Sequence, residues 1–432
     1  MPGAKYWAYV QHAVTTPFAR ICCLDLDTFF VSVERLFDPS LVGKPVIVGG
    51  RPRQRGVVTA CSYEVRQLGV RSGMSLTEAA RLAPHAVFLP TRDGVYSDYA
   101  RRVVAIAKRY SPIVQVASID ELYMDLSGCE RLYRDPRDES DDGTIQRKVR
   151  ELTESIKREE GLPASVGIAS SKRMAKVASG LAKPAGVLFV PVGEEARVLA
   201  PLSVRKLPGI GPVAERKLAE AGVLTLGQLA ELPRAEVRRI FGAWADQIQL
   251  GARGRGSADL GRERPAFREH DAEGNVIGGI SNEQTFREDV SDNRSIERVL
   301  SVLAERVCFR ARKRGVQART VTLKLRYADF DTHSRSRTLR PTDSERHVFP
   351  VVRALFLGAR TRSLPIRLLG IALSNLGRYE VQLSLFDEAR RLNDSVDKIR
   401  ERFGYDALHL ASSETFSSAR DRSSSASREP RR

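Results

Sequence analysis

The sequence predicts a multidomain α+β protein, and three observations support this fold class. The chain has 432 residues, more than the roughly 250–300 at which a single hydrophobic core stops growing. Strand-like and helix-like patterns alternate up to about residue 190, whereas residues 204–250 are predicted to form helices joined by glycine turns. A polar, glycine-rich stretch follows from Gly251, and a second alternating unit then begins.

The individual elements are predicted from the spacing of apolar residues. After a poorly patterned leader, the first unit begins with a buried-strand pattern at Ile21. It continues with strands at 45–48 and 56–61, helices at 75–82, 97–110 and 145–159, and a buried strand at 164–169. The second unit is predicted to contain helices at 295–314 and 345–358 and strands at 319–327, 336–339 and 367–376. Beyond Asp387 the chain is increasingly polar, and residues 412–432 show no apolar periodicity, which predicts a flexible tail.

The charge and cysteine content restrict the class of protein. A net charge of +17 indicates a polyanionic partner, either nucleic acid or an anionic membrane surface. The sequence lacks the roughly 18–20 consecutive apolar residues that a membrane-spanning helix needs, and it lacks a secretory signal pattern. The five cysteines show no C-x-x-C spacing, which disfavours a disulfide framework and a zinc cluster. We therefore expect a cytoplasmic protein.

Residues 114–126 form an apolar, alternating pattern interrupted by two adjacent acids, Asp120 and Glu121. Neighbours on a strand point to opposite faces, so these carboxylates can converge on one cation only at a bend such as a hairpin tip. On its own the pattern fits an acidic, solvated tip as well as a metal site. Asp25 supplies a third carboxylate at the end of another apolar strand. Three carboxylates on two strands suffice for two divalent cations about 4 Å apart, which can catalyse phosphoryl transfer.

Several motifs together resemble the Y-family of translesion DNA polymerases, in particular the DinB or DNA polymerase IV group. They occur in the family's order between residues 20 and 376: DLDTFFVSVE, KPVIVGG, SYEVRQLGVRSGM, ASIDELYMDLSG, ASVGIASSKRMAKVASGLAKP, LPGIGPVAERKLAEAGV and SNEQTFRED. The resemblance implies a right-hand polymerase with a ferredoxin-like palm. Its parts would be a leader (1–19), palm (20–36 and 92–190), small fingers (37–91), helical thumb (191–250), linker (251–276), α/β little finger (277–378) and flexible tail (379–432).

The same resemblance implies the activity and its metal ligands. The protein would be a DNA-directed DNA polymerase that adds dNTPs to a primer 3′ end in low-fidelity translesion synthesis and DNA repair. Two Mg²⁺ ions, for which Mn²⁺ can substitute, would be bridged by Asp25 and Asp120. The Leu26 carbonyl would bind the nucleotide-side metal, and Glu121 would hold the metal at the primer 3′-hydroxyl. Asp27 is not a ligand in the family pattern and is interpreted as a strand-end or helix-cap carboxylate.

Residues for the incoming nucleotide follow from the same motifs. Phe30 falls at the position of the aromatic steric gate that excludes a ribose 2′-hydroxyl, whereas Phe29 fits a core aromatic beside it. Tyr63 and Arg66 share a helix face and resemble the pair that holds the triphosphate. Lys183 would reach the triphosphate from the palm, since ammonium and guanidinium groups suit phosphate oxygens. Many relatives have a threonine hydroxyl where this chain has Ala60, which puts the contacts near that position in question.

Residues for DNA and for a sliding clamp complete the expectations. LPGIG fits a helix-hairpin-helix turn whose glycines, Gly209 and Gly211, let a backbone phosphate approach, although a structural turn would share the pattern. In the basic little finger, four side chains are predicted to follow DNA phosphates: Lys324, Arg326, Arg335 and Arg337. The pentapeptide QLSLF matches the bacterial clamp-binding motif through Gln382, Leu383, Leu385 and Phe386. We expect a monomer that binds primer–template DNA, dNTPs and the clamp, with no membrane partner.

Three competing functions fit the sequence less well. A catalytically inactive scaffold for the DNA-damage response would keep the fold and lose the carboxylates, yet all three are present. A nucleotide cyclase would need neither the helix-hairpin-helix nor a basic C-terminal domain. A purely DNA-binding repair module would make the triphosphate-binding residues superfluous.

Overall fold

The structure is a computed structural model that describes residues 19–92, 94–260, 278–379 and 388–409. It comprises two compact units, Met1–Ala266 and Phe267–Arg432. A search of the described residues for a helix with the length and apolar character to cross a membrane found none. The boundaries between palm, fingers and thumb within the first unit stay predictions.

The first unit contains eight strands and twelve α-helices within its described residues. Its strands are β1 (Ile21–Leu26), β2 (Val46–Val48), β3 (Ala60–Cys61), β4 (Val87–Leu89), β5 (Ile113–Val116), β6 (Glu121–Asp125), β7 (Ala164–Ala169) and β8 (Val187–Phe189). Its helices are α1 (Phe29–Phe37), α2 (Tyr63–Gln67), α3 (Leu76–Leu82), α4 (Val95–Ala107), α5 (Cys129–Tyr133), α6 (Asp141–Glu160), α7 (Lys172–Ala182), α8 (Glu195–Leu199), α9 (Pro212–Glu220), α10 (Leu226–Glu231), α11 (Arg234–Phe241) and α12 (Ala245–Ala252).

A five-stranded sheet with the order β5-β6-β1-β7-β8 forms the centre of this unit. Strand β1 runs antiparallel to both β6 and β7 and is buried on both faces. Leu24 and its alternate neighbours pack against α4 and α6, whereas Cys23 belongs to the core formed with α7 and the helices after it. Two-sided burial explains why the run ICCL is apolar throughout. Asp25 follows in the same alternation and therefore lies on the face of the sheet that α7 covers.

A second, three-stranded sheet with the order β3-β2-β4 lies within the predicted fingers. Helices α2 and α3 cover it around a small apolar core that includes Ile47 and Leu76. The predicted strand at 56–61 is shorter than expected, because only Ala60–Cys61 pairs with β2. Val57 instead forms an isolated bridge with Ser75.

Residues 204–250 form helices and turns, as the sequence predicts. The predicted linker differs from the structure in its first ten residues. Helix α12 continues to Ala252, the Gln115 Nε2 atom donates to the Leu260 carbonyl at 2.7 Å, and Leu260 is 3% exposed. One apolar side chain inside a polar stretch is too weak a signal to predict that packing. The remaining linker residues, 261–276, lie outside the described residues.

The second unit is a four-stranded antiparallel sheet covered by helices. Its strands are β9 (Ile280–Val290), β10 (Gln317–Tyr327), β11 (Thr332–Thr342) and β12 (Ile366–Gly377), and its helices are α13 (Asn293–Lys313), α14 (Glu345–Ala359) and α15 (Glu388–Phe403). The strand order is β11-β10-β12-β9. The apolar faces of α13 and α14 pack on one face of the sheet. Strand β9 was not predicted, since its polar sequence SNEQTFRED does not show a strand pattern.

The predicted flexible tail contains an ordered helix, α15, which packs on the second unit through charged groups. Arg400 is 3% exposed and donates to Glu305 at 2.5 Å. Arg312 donates to both Glu345 and Asp397 at 2.6 Å. The tail prediction was wrong for these residues, because a polar composition shows neither the ion pairs nor the helical spacing of Leu392, Val396 and Ile399. The predicted clamp motif, Gln382 to Phe386, and residues 1–18 and 410–432 lie outside the described residues.

Candidate active site

The predicted hairpin is present, and it brings the three acids to neighbouring strands. Strands β5 and β6 pair antiparallel, with Asp120 in the connection between them. Asp25 lies directly opposite Glu121 in the pairing of β1 with β6. The backbone N–H of Leu26 donates to the Asp120 carbonyl at 2.9 Å. The end of β1, the β5–β6 connection and the first residue of β6 therefore hold all the predicted metal ligands.

Lysines from α7 and the chain after it balance this acidic charge. Lys183 pairs with Asp25, and Lys176 pairs with Glu121. Asp120 accepts a hydrogen bond from the Ser118 hydroxyl. Among the described residues, the histidine, cysteine and acidic side chains form no group of three or more that could hold a metal ion as they stand. Asp25 and Glu121 are each paired with a lysine instead.

The chemistry of these acids nevertheless fits divalent cations. Burial raises the pKa of Asp25; Lys183 opposes that shift, and the negative charges of Asp120 and Glu121 raise the pKa further. A site in which acids repel one another is stabilised when a cation binds between them. Carboxylate and backbone carbonyl oxygens are also the ligands that Mg²⁺ prefers.

A cavity of ≈ 350 Å³ lies beside these acids. It brings together seven of the residues predicted for metal and nucleotide: Asp25, Leu26, Phe29, Phe30, Arg66, Asp120 and Lys183. Tyr63 and Glu121 are adjacent to this set but do not line the cavity. Ala60 lines it together with the hydroxyl-bearing Thr59 and Ser72, which sequence reasoning missed.

The two adjacent phenylalanines differ as expected. Phe29 is 4% exposed within the core, whereas Phe30 is only partly buried and stacks on Tyr96, with ring centroids 3.8 Å apart. The Tyr96 hydroxyl donates to Glu34 at 2.6 Å, and Arg92 holds the same carboxylate at 2.9 Å. Tyr96 was missed because only the folded chain shows that it contacts Phe30.

Asp27 is a strand-end residue, but the interpretation as a helix cap is wrong. Its side chain is 1% exposed and accepts three hydrogen bonds away from α1. The donors are the Tyr63 hydroxyl at 3.0 Å, the Ser165 hydroxyl at 2.8 Å and the Ala185 backbone N–H at 2.7 Å. The Lys183 ammonium lies 3.6 Å from the same carboxylate. Asp27 therefore contacts two residues predicted to bind the triphosphate.

The helix-hairpin-helix turn has the backbone that the glycines predict. Gly209 has a φ of 102°, in the region that favours glycine, and Gly211 is the N-cap of α9. Pro212 occupies the first turn of that helix, where its missing N–H costs nothing. The remaining N–H groups at the start of a nine-residue helix suit a phosphate.

The four predicted DNA residues of the second unit divide between two faces of its sheet. Arg335 lies opposite Leu323 and Arg337 opposite Val321, and opposed residues share a face. Since Leu323 and Val321 are buried under the helices, both arginines project on that side of the edge strand β11. The alternating residues Lys324 and Arg326 therefore project on the opposite, open face. Lys324 also pairs there with Glu283 at 2.9 Å.

Comparison with known proteins identifies the family. The model of the impB/mucB/samB family matches residues 24–180, its helix-hairpin-helix motif matches 192–223, and its C-terminal domain matches 279–385. A DNA polymerase IV from Dehalococcoides mccartyi strain CBDB1 is 38% identical over 395 residues, which cover 90% of this chain and 96% of that protein.

Solved structures share the fold. A Y-family DNA polymerase chimera superposes with a TM-score of 0.68 at 24% identity, covering 82% of this chain and 98% of that one. An insertion ternary complex of the Dbh DNA polymerase superposes with a TM-score of 0.55 at 24% identity, covering 83% of this chain and 100% of that one. The protein thus belongs to the impB/mucB/samB family, whose members similar to this chain include DNA polymerase IV.

Proposed function

We propose that this protein is a DNA-directed DNA polymerase that performs translesion synthesis, and that its active site is the cavity beside Asp25. A single observation carries the assignment of the site. Asp25 and Asp120 line one cavity together with Phe30, Arg66 and Lys183. Glu121 lies opposite Asp25 in the pairing of β1 with β6. Acids, an aromatic side chain and phosphate-binding cations in one cleft suit a nucleoside triphosphate and the metal ions that accompany it.

The acids divide the metal binding between them. Asp25 and Asp120 would help to hold two divalent ions, Mg²⁺ by preference. The Leu26 carbonyl would add a ligand on the nucleotide side, and Glu121 would add one on the primer side. Bound metal supplies charge neutralisation and an activated 3′-hydroxyl for phosphoryl transfer. Lys183, which pairs with Asp25 in this structure, is then available to the triphosphate.

The nucleotide is positioned by the residues around the cavity. Arg66 and Lys183 offer charge-assisted hydrogen bonds to phosphate oxygens, and Tyr63 lies on the same helix face as Arg66, with the guanidinium 5.4 Å from its ring centre. Phe30 would pack against the sugar and exclude a 2′-hydroxyl. The stack on Tyr96 keeps the Phe30 ring in one orientation.

Contacts with DNA and partner proteins would lie elsewhere in the chain. The start of α9, after Gly209 and Gly211, would bind a backbone phosphate without regard to sequence. The basic side chains of β10 and β11 would contact further phosphates. We also propose that QLSLF docks on the sliding clamp, and that the protein acts as a monomer in the cytoplasm, where its template DNA lies.

Primer extension tests the proposed function against the inactive scaffold. Wild-type protein is expected to add the nucleotide that the template specifies, one dNTP at a time, and to require Mg²⁺. Asp120→Ala is expected to lose this activity. Asp125→Ala is the matched control, because it removes an acid from the other end of β6, outside the cavity. Template-directed addition by Asp120→Ala, or none by the wild-type protein, would contradict the proposal.

A further inference from the structure

Asp27 carries an inference that goes beyond the metal and nucleotide ligands. A carboxylate that is 1% exposed loses its hydration and is stable only if protein groups replace it. An ionised carboxylate has about four acceptor positions. In Asp27 they face three hydrogen-bond donors and one ammonium group. Asp27 therefore has no acceptor position left for a metal ion, although it lies only two residues from Asp25.

The two oxygens of this carboxylate face different parts of the unit. Oδ2 accepts from Ser165 on β7 and from the backbone N–H of Ala185, directly after the segment that carries Lys183. These donors belong to the sheet and to the chain beside it. Oδ1 accepts from the Tyr63 hydroxyl on α2 and lies 3.6 Å from the Lys183 ammonium. One oxygen is thus anchored, and the other holds two residues of the proposed triphosphate site.

A hydroxyl has one hydrogen, so Tyr63 cannot donate to Asp27 and to a phosphate oxygen at the same time. Lys183 lies beside the carboxylates of Asp25 and Asp27, and it cannot stay there and also extend fully toward a triphosphate. The contacts at Oδ1 are therefore those that a nucleotide would replace, whereas the contacts at Oδ2 can persist. This asymmetry keeps Tyr63 and Lys183 beside the cavity before substrate arrives.

We propose that Asp27 is the positioning residue of the nucleotide site, which holds Tyr63 and the Lys183 segment in place for the triphosphate. The role rests on the proposed polymerase function. Positioning in advance lowers the entropy that must be lost when the nucleotide binds. A defect in Asp27 should therefore appear in the KM for dNTP more than in kcat, and it should leave the Mg²⁺ requirement unchanged.

Asp27→Asn and Ser165→Ala test this role from two sides. Asp27→Asn keeps one oxygen for Ala185 and removes the charge and acceptor that face Tyr63 and Lys183. It is expected to raise the KM for dNTP about tenfold or more and to change kcat less than threefold. Ser165→Ala removes one hydrogen bond to Asp27 and does not change a residue that lines the cavity. We expect it to raise the KM for dNTP two- to fivefold. Ser155→Ala is the matched control, since this buried serine on α6 forms hydrogen bonds with the side chains of Tyr110 and Arg158, away from the cavity.

Binding measurements separate positioning from metal ligation and from misfolding. The affinity of the correct dNTP for enzyme on a dideoxy-terminated primer–template, measured with Ca²⁺, should fall by the same factors as KM rises. The half-saturating Mg²⁺ concentration should stay within twofold of wild type; a tenfold shift would indicate a metal ligand and overturn the proposal. If Asp27→Asn does not fold, Ser165→Ala still carries the test.

The result that contradicts the inference differs from the one that contradicts the function. An active wild-type enzyme with an unchanged or lower KM in Asp27→Asn, or in Ser165→Ala alone if the first variant does not fold, overturns the positioning role only. An inactive wild-type enzyme would instead contradict the polymerase assignment.

Discussion

Tyr96 lies flat against Phe30, with the ring centroids 3.8 Å apart and the ring planes 5° apart. The Tyr96 ring is itself held in place, because its hydroxyl donates to the buried Glu34 at 2.6 Å. Phe30 also meets the edge of Phe29, which belongs to the core. The aromatic side chain that lines the cavity is thus supported from two directions and has little freedom to move aside.

Replacing Phe30 by alanine should remove the discrimination between ribonucleotides and deoxyribonucleotides. The smaller side chain opens space where a 2′-hydroxyl would lie, so the ratio of kcat/KM for dNTP to that for rNTP should fall at least a hundredfold. Single-nucleotide insertion with matched dNTP and rNTP measures this ratio. Phe37→Ala is the control, because that aromatic residue of the same helix is 52% exposed and does not line the cavity. Unchanged sugar selectivity in Phe30→Ala would refute the assignment.

Asp120 and Glu121 should respond unequally to loss of charge. Asp120→Asn weakens both proposed metal sites and should abolish extension, whereas Glu121→Gln affects only the primer-side site. We expect Glu121→Gln to retain a trace of activity that Mn²⁺ increases, since Mn²⁺ binds such sites more tightly than Mg²⁺. Extension assays across a titration of each metal measure the difference. Equal residual activities and equal Mn²⁺ responses in the two variants would contradict the division of roles.

The sequence was most informative where one physical cause determined the structure. Strand β7 was predicted with its observed bounds, because a run buried on both faces must be apolar throughout. The hairpin was predicted because neighbours on a strand point to opposite faces, so Asp120 and Glu121 can converge on one cation only at a bend. Asp25 and Glu121 could be assigned to one site because acids in apolar strands are costly unless a cation lies beside them. Periodicity and burial act locally, and a sequence displays them directly.

What the sequence did not show depends on contacts between distant residues. The partners of Asp27 come from α2, β7 and the chain after α7, so nothing near Asp27 indicates them. Tyr96 lies 66 residues beyond Phe30 in the sequence and falls just before the helix predicted at 97–110. Lys176 was noted in its motif, but its pairing with Glu121 became apparent only in the structure. Pairings of this kind are set by the tertiary fold.

The basic side chains of the second unit should make DNA binding dependent on salt. The binding constant falls as salt rises, and each lost phosphate contact reduces the magnitude of the slope of log K against log salt by about 0.9. Arg335→Ala/Arg337→Ala should therefore reduce the slope by about 2, since both arginines are exposed on the edge strand. Lys324→Ala/Arg326→Ala should reduce it by about 1, because Lys324 already pairs with Glu283.

The slopes can be measured by fluorescence anisotropy with a labelled primer–template at salt concentrations from about 50 to 300 mM, and those of the two double variants are compared with the wild-type slope. Arg353→Ala is a matched control, since it removes a cation of α14 that pairs with Glu297. A slope that neither double variant alters would show that these strands do not contact phosphates. An equal effect of Arg353→Ala would indicate a response to net charge alone.

The ion pair between Arg400 and Glu305 should stabilise the second unit by anchoring α15. Both side chains are almost fully buried, at 1% and 0% exposure. Arg400→Ala leaves the Glu305 charge without its closest cation, which for a buried pair costs about 3–5 kcal/mol. The free energy of unfolding of the full chain in urea should fall by that amount, and α15 should become sensitive to protease.

Two further variants decide whether the pairing itself is responsible. Arg402→Ala changes an exposed arginine two residues along the same helix and should alter the free energy of unfolding by less than about 0.5 kcal/mol. Arg400→Leu/Glu305→Leu removes both charges and should cost clearly less than Arg400→Ala, because an apolar pair can replace a buried ion pair. If the double variant is as unstable as Arg400→Ala, packing rather than charge holds α15. If Arg400→Ala is as stable as wild type, α15 is anchored by other contacts, such as the bond from Arg312 to Asp397.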